Sequence, residues 1–244
     1  MTAMQAVMRR EFRSYFGTPL AYVFLCVFLW AAAFGAFKDQ LFEMRDANLR
    51  VFFSYLPWLF AFLAPAIAMR TWAEERRTGT VELLLTLPVT VRQAVLGKFF
   101  AGWAVFAIAL LLTTPIVFSV EYLGDPDYGP IFAGYLGALL MSGAYLAIGT
   151  FFSALTKNQV IAFIVAAVVC LILVFLGQPS MIATLDEFPL TSWLAPFVEQ
   201  MSFAVHFDLL QRGVIELRNI VFPLVVIAAF LICSVVILNE QKAR

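Results

Sequence analysis

Charge is scarce in this chain. Of its 244 residues only 13% are charged, against about 25% in soluble domains, while 63% are hydrophobic and the mean hydropathy is +0.91. A water-soluble globule cannot hide that much apolar surface, so the composition excludes one and demands a bilayer. Histidine is rarer still, with His206 alone. One histidine with no cysteine or acid at ligand spacing makes no metal site and reads as structural rather than catalytic. The three cysteines, Cys26, Cys170 and Cys233, all fall inside apolar runs, where the expectation is buried thiols behaving as small hydrophobes. No polar–apolar alternation of the kind a membrane barrel needs is present, nor any Gly-x-x-x-x-Gly-Lys-Ser/Thr loop to hold a nucleotide. Ionisable residues inside the apolar runs, the usual mark of intramembrane chemistry, are essentially missing, since Lys98 and Lys157 stand at run ends. No catalytic residue, no bound metal or cofactor and no nucleic-acid partner is therefore expected.

What the chain does have is apolar length. A helix needs about 20 apolar residues to cross a bilayer, and six runs meet or approach that: Leu20–Phe37, Val51–Met69, Phe99–Val120, Ile131–Leu155, Val160–Leu176 and Ile220–Leu238. The reading is an all-α integral membrane protein of six spans. An even number puts both termini on one side. With that side cytoplasmic, it holds 11 of the 16 basic residues, Arg9, Arg10, Arg13, Arg70, Arg76, Arg77, Arg92, Lys98, Lys157, Lys242 and Arg244, as the positive-inside rule requires. The opposite loop Glu121–Pro130 carries Glu121, Asp125 and Asp127 and no base. The first span is longer than a signal-peptide core and starts late, so it reads as retained.

Residues 1–18 form a unit apart from the six-span domain, 19–244. In Met4–Phe16 the residues Met4, Val7, Met8, Phe12, Tyr15 and Phe16 recur at helical spacing, with Arg9, Arg10 and Arg13 on the other side. This pattern predicts a helix lying in the membrane interface, the alternative being a disordered basic leader. Gly17-Thr18-Pro19 then breaks it. Pro57, Pro65 and Pro115 predict kinks in the second and third spans. Gly134, Ala138 and Ser142 form a small-residue stripe that lets another helix come close, in this chain or in a second copy.

Two segments between spans stand out. The first, 70–98, is the one long charged stretch. Glu74, Glu75, Arg76 and Arg77 continue the second span as a charged helix, and Gly79 suits a left-handed terminus. Thr80 can cap a short new helix with Glu82 in its first turn. Leu83, Leu84, Leu85 and Leu87 make that helix apolar, and Pro88 stops it. Thr90 and Gln93 then have capping-box spacing for the helix that enters span three. A hydrophobic knob of about two turns, docked in a groove of a soluble partner, transmits motion; the alternative is an amphipathic loop lying against the headgroups. The second segment, 177–219, is too long for a turn, too apolar for a solvated loop and divided by Pro179, Pro189 and Pro196. It predicts re-entrant or interfacial helices in the outer leaflet, with a compact external cap as the rival.

Glu74–Thr90, EERRTGTVELLLTLPVT, resembles the signature of type-2 ABC transporter permeases, Glu-x-x-x-Gly-Thr-x-Glu-x-Leu-Leu-x-x-Pro, on Glu75, Gly79, Thr80, Glu82, Leu84, Leu85 and Pro88. The stretch PFVEQMSFAVHFDLLQRGVIELRNIVF is similar to gliding-motility-type permeases on His206, Phe207, Gly213, Val214, Ile215, Arg218 and Asn219, with Ala195-Pro196 where a Ser-Pro is common. Permeases of nitrous oxide reductase maturation systems are next in similarity. The resemblance implies the type V exporter fold in a bacterial inner membrane. It further implies a dimer with a second copy or a related permease, and a cytoplasmic ABC ATPase carrying ATP and Mg2+ on a separate polypeptide. A membrane-anchored periplasmic protein is a further expected partner. On this reading the ATPase-coupling residues are Glu74, Glu75, Arg76, Arg77, Gly79, Thr80, Glu82, Leu83, Leu84, Leu85 and Pro88. The external gate, closing the outer mouth of the dimer, comprises Trp193, Phe197, Phe203, His206, Phe207, Leu210, Gly213 and Val214. The competing function classes are an intramembrane enzyme and a channel or scaffold not coupled to ATP.

Overall fold

The computed structural model describes residues 2–38, 49–80, 89–124, 126–178, 180–181, 183, 198 and 200–242. Nine helices and no strand are defined among the described residues: α1 (Ala3–Gly17), α2 (Pro19–Lys38), α3 (Arg50–Thr78), α4 (Val91–Leu111), α5 (Thr114–Leu123), α6 (Tyr128–Leu155), α7 (Gln159–Leu176), α8 (Phe203–Gln211) and α9 (Leu217–Lys242). Five stretches are long and apolar enough to cross a membrane: α3, α4 with α5, α6, α7 and α9. A sixth arises if α1 and α2, which meet at 73°, count together. This is a multi-pass membrane protein.

Local chemistry sets the helix ends. Thr2 and Gln5 form a reciprocal capping box that starts α1, with the Gln5 side chain accepting from the Thr2 N–H at 3.1 Å. The sequence reading passed over it. Pro19 then opens α2, where a missing N–H costs nothing. α3 runs as one helix of 29 residues through both Pro57 and Pro65. Pro115 acts differently. The third span breaks at Leu112–Thr113, and the proline sits in the first turn of α5. The Thr113 hydroxyl fills the gap, donating to the Leu110 carbonyl at 2.6 Å and pairing with the Tyr135 hydroxyl at 2.9 Å.

α6 is the centre of the bundle. Of its most apolar eighteen residues 78% are buried, against 28% for α7 and 22% for α9, so the latter two present most of their surface outward. Small residues make the centre accessible. A Cβ on Gly134 would lie 2.6 Å from the Phe53 ring of α3, and one on Gly149 would lie 2.5 Å from the Ala68 Cβ. Ala138 and Ser142 are fully buried. The small-residue stripe therefore serves packing within this chain. The expectation of three buried thiols needs correction: Cys170 is buried, but Cys26 and Cys233 are exposed on the flanks of α2 and α9. An apolar run does not say which of its faces turns outward.

Candidate functional site

α3 does not stop where its apolar residues end. It continues through Arg70–Thr78 and terminates at Gly79, whose φ of +72° is the left-handed geometry expected there. Arg70 pairs with Glu74 at 2.9 Å along the helix. The Thr78 hydroxyl donates to the Glu74 carbonyl at 3.0 Å, and the Thr80 hydroxyl reaches back to the Glu75 carbonyl at 3.4 Å. Residues 81–88, and with them Glu82, Leu83, Leu84, Leu85 and Pro88, lie outside the described residues. The chain is described again at Val89. Thr90 caps α4 with the expected box, its side chain accepting from the Gln93 N–H at 3.3 Å and Gln93 accepting from the Thr90 N–H at 3.1 Å. Residues 81–88 thus connect two capped stems.

The stems and α1 converge on one ammonium. Lys98, in the third turn of α4, is 3% exposed. Its Nζ donates to Glu11 Oε1 of α1 at 3.1 Å, to the Thr71 carbonyl of α3 at 3.0 Å and to Glu75 Oε1 of α3 at 2.8 Å. An ammonium has three N–H groups, and each has a partner. The Trp72 ring centroid lies 4.9 Å away, close enough for a cation–π contribution. Arg10 reaches Glu11 at 2.9 Å and Glu75 at 3.6 Å from the surface, so two bases face two acids. Burial pushes the Glu11 carboxyl up, but Lys98 and then Arg10 outweigh it and hold the group below its ordinary value. Burial, reinforced by Glu11, pushes the neighbouring Tyr15 hydroxyl up to about 12, against a smaller opposing hydrogen bond from Thr71. Removing one member of such a cluster strands a buried charge and costs about 3–5 kcal/mol.

α1 is seated on protein as well as at an interface. A Cβ on Gly97 would lie 3.0 Å from both the Met4 carbonyl and the Val7 side chain. α1 therefore packs closely on α4, with Val7 buried and Arg9, Arg10 and Arg13 exposed. α6 joins from the other side. The Ser153 hydroxyl accepts from the Trp72 and Ala73 N–H groups at 3.0 and 3.1 Å and donates to the Met69 carbonyl at 2.9 Å. Arg76 donates to the Ala154 carbonyl. Of the four charged residues expected to face a partner, Glu75 and Arg76 turn inward, Glu74 is half-buried and Arg77 is exposed. The sequence reading missed Lys98 and Glu11. Glu11 is the only acid among the first 38 residues, flanked by three arginines, which was the one available hint.

At the opposite end, Trp193 and Phe197 lie outside the described residues. Phe203, His206, Phe207 and Leu210 of α8 are buried, and their contacts are within the chain. Phe207 meets the Phe53 ring edge-on at 6.2 Å, and a Cβ on Gly137 of α6 would lie 2.9 Å from Leu210. Gly213, with φ +82°, ends α8 against Pro130, and Val214 is exposed. His206 Nδ1 lies 2.8 Å from the Asn219 side-chain oxygen and Nε2 lies 2.9 Å from the Gln200 carbonyl. A neutral ring has one donor and one acceptor. Turning the Asn219 amide, whose Nδ2 is otherwise without a partner among the described residues, supplies the donor that Nδ1 needs. His206 is a structural histidine, and no group of three or more metal-binding side chains occurs among the described residues.

Comparison with known proteins matches residues 32–238 to the model of the ABC-2 family transporter protein. The heme exporter protein B of Rhodobacter capsulatus is 28% identical over 160 residues, which cover 63% of this chain and 68% of that protein.

Proposed function

The chain belongs to the ABC-2 family of transporter proteins as the membrane permease subunit of an ABC transporter, and from that premise we propose that it is driven through segment 70–98 by a separate cytoplasmic ATPase. ATP and Mg2+ sit on that partner. The observation that carries the reading is the pair of capped stems: α3 runs past its apolar residues as one helix to Gly79, and α4 starts from the Thr90 box. A tip held between two such stems cannot be displaced without loading both spans. The charged end, with Arg9, Arg10, Arg13, Arg77 and Arg92, is then cytoplasmic and both termini lie there, in a bacterial inner membrane.

In the same proposal two permease copies form the transporter, since the outward faces of α7 and α9 leave room for one. Transport runs outward, or force passes to a membrane-anchored periplasmic partner. The relative's name suggests heme as a cargo to test; His206, with both ring nitrogens engaged, lends that no support. The test of the coupling assignment is Glu82→Lys and Leu84→Asp. Both should lower ATPase recruitment or transport-coupled hydrolysis while leaving the spans folded. Unchanged pull-down and turnover in both variants would overturn it.

A further inference from the structure

We propose that Lys98 is the positioning residue that makes α1, the charged arm of α3 and the start of α4 move as one body. The inference rests on the reading of 70–98 as the coupling segment, and it concerns how displacement leaves that segment rather than how it enters. Residues 81–88 have two exits, upward through α3 and upward through α4. A load that merely pried the stems apart would be dissipated at the membrane surface. Lys98 closes that route. It is rooted in α4, and two of its three N–H groups are bonded to α3, at the Thr71 carbonyl and Glu75. The third is bonded to Glu11 of α1.

The geometry also gives α1 a task beyond lying in the interface. Glu11 of α1 is bonded to Lys98, and at Gly97, one position earlier, α1 comes close to α4. α1 turns into α2 through 73°. A clamp on α1 therefore carries displacement of the arm around a corner into α2, a helix outside segment 70–98. Lysine suits the position because a compact ammonium can address three acceptors in different directions from a flexible stem. The guanidinium of arginine has more donors, but they are fixed in one plane on a rigid fork.

A structural role and a positioning role part company when the whole charge cluster is removed. Lys98→Met alone leaves Glu11 and Glu75 facing each other in a buried site and should lower Tm by about 8 °C or more. The triple variant Glu11→Gln, Glu75→Gln, Lys98→Met has no stranded charge and should regain most of that Tm. With Cys26 and Cys233 replaced by serine, the chain is reconstituted in nanodiscs with spin labels on cysteines at Ala6 and Thr78, and the label distance is read by pulsed electron resonance. The unmutated cluster should give one narrow distribution, unmoved by ATP and vanadate in the complex with the ATPase. The triple variant should broaden it by several ångströms and lose coupled hydrolysis at least tenfold. A triple variant with a narrow distribution, or with full coupled hydrolysis, overturns the inference and leaves the coupling reading standing. An ATPase that fails to bind even the unmutated chain removes the coupling reading, and the distance measurement still decides whether Lys98 clamps α1. If Lys98→Met does not fold, the triple variant carries the test alone.

Discussion

Gly149→Ala should destabilise this protein even though alanine is the better helix former. Gly149 lies on α6 where α3 comes nearest. A new Cβ would stand 2.5 Å from the Ala68 Cβ, with the Pro65 Cα at 3.4 Å and the Ala64 carbonyl at 3.7 Å. None of these atoms is the free end of a flexible side chain, so relief requires α3 and α6 to separate by about 1 Å before ordinary contact is restored. Overpacking of that kind costs roughly 1–3 kcal/mol. The same shift reaches Ser153, one turn further along α6, and stretches its three bonds to the α3 backbone. Interhelical hydrogen bonds in membranes average about 0.6 kcal/mol each. The gain in helix propensity is about 1 kcal/mol. The net expectation is a loss of about 2 kcal/mol, which for a chain of this size lowers Tm by roughly 4–8 °C. The assay follows from the cysteines. With Cys26 and Cys233 replaced by serine, the buried Cys170 reacts with a thiol-sensitive dye only as the bundle opens on heating. Gly17→Ala, where an added Cβ meets nothing within 4 Å, serves as the control and should be neutral. If Gly149→Ala melts with or above the parent chain, the close approach of α3 and α6 is not what holds this end of the bundle.

Two further outcomes follow from the polar clusters. The Glu11 carboxyl is held below its ordinary value of 4.5, so its contribution is fully present above that pH and is lost as pH falls through the lower folded value. Tm measured from pH 6 down to pH 3 should therefore drop more steeply for the parent chain than for Glu11→Gln; parallel curves would show that Glu11 is not charged in the cluster. His206→Ala should cost about 1–3 kcal/mol, because it leaves the Asn219 side chain, 1% exposed, without its ring partner. Adding Asn219→Leu should recover part of that loss in the same melting assay, and a strictly additive double variant would contradict the pairing.

What the sequence made legible was local. The left-handed Gly79 and the Thr90–Gln93 box depend on hydrogen bonds among neighbours within a few residues, and both are found as expected. The presence of several apolar helices long enough to cross a membrane follows from hydropathy along the chain. The Lys98 cluster was not legible, because Lys98 and Glu11 are 87 positions apart and no pattern along one chain says which helices meet. As a basic residue at a span end, Lys98 is accounted for fully by positive-inside statistics. Glu75 stands in a run of four charged residues expected at the ATPase contact, and nothing along the chain separates Glu75 and Arg76, which turn inward, from Glu74 and Arg77. At the other end, the aromatics of α8 declared themselves buried by their apolarity, but their partners Gly137 and Phe53 are residues that only the folded chain brings to them.

The length of α3 has a mechanical corollary. At about 1.5 Å per residue, its 29 residues make a rod of roughly 43 Å. The Gly149 and Ser153 contacts grip it near residues 68–73, well off centre. About a quarter of its length lies on the side of Thr78, and the rest extends to Phe53 and the ring of Phe207. Phe53 is itself packed on α6, where a Cβ on Gly134 would lie 2.6 Å from its ring, so α3 is braced against α6 at two places roughly 25 Å apart. The two prolines lie between the braces, and the short overhang beyond the second is the part that Lys98 ties to α1 and α4.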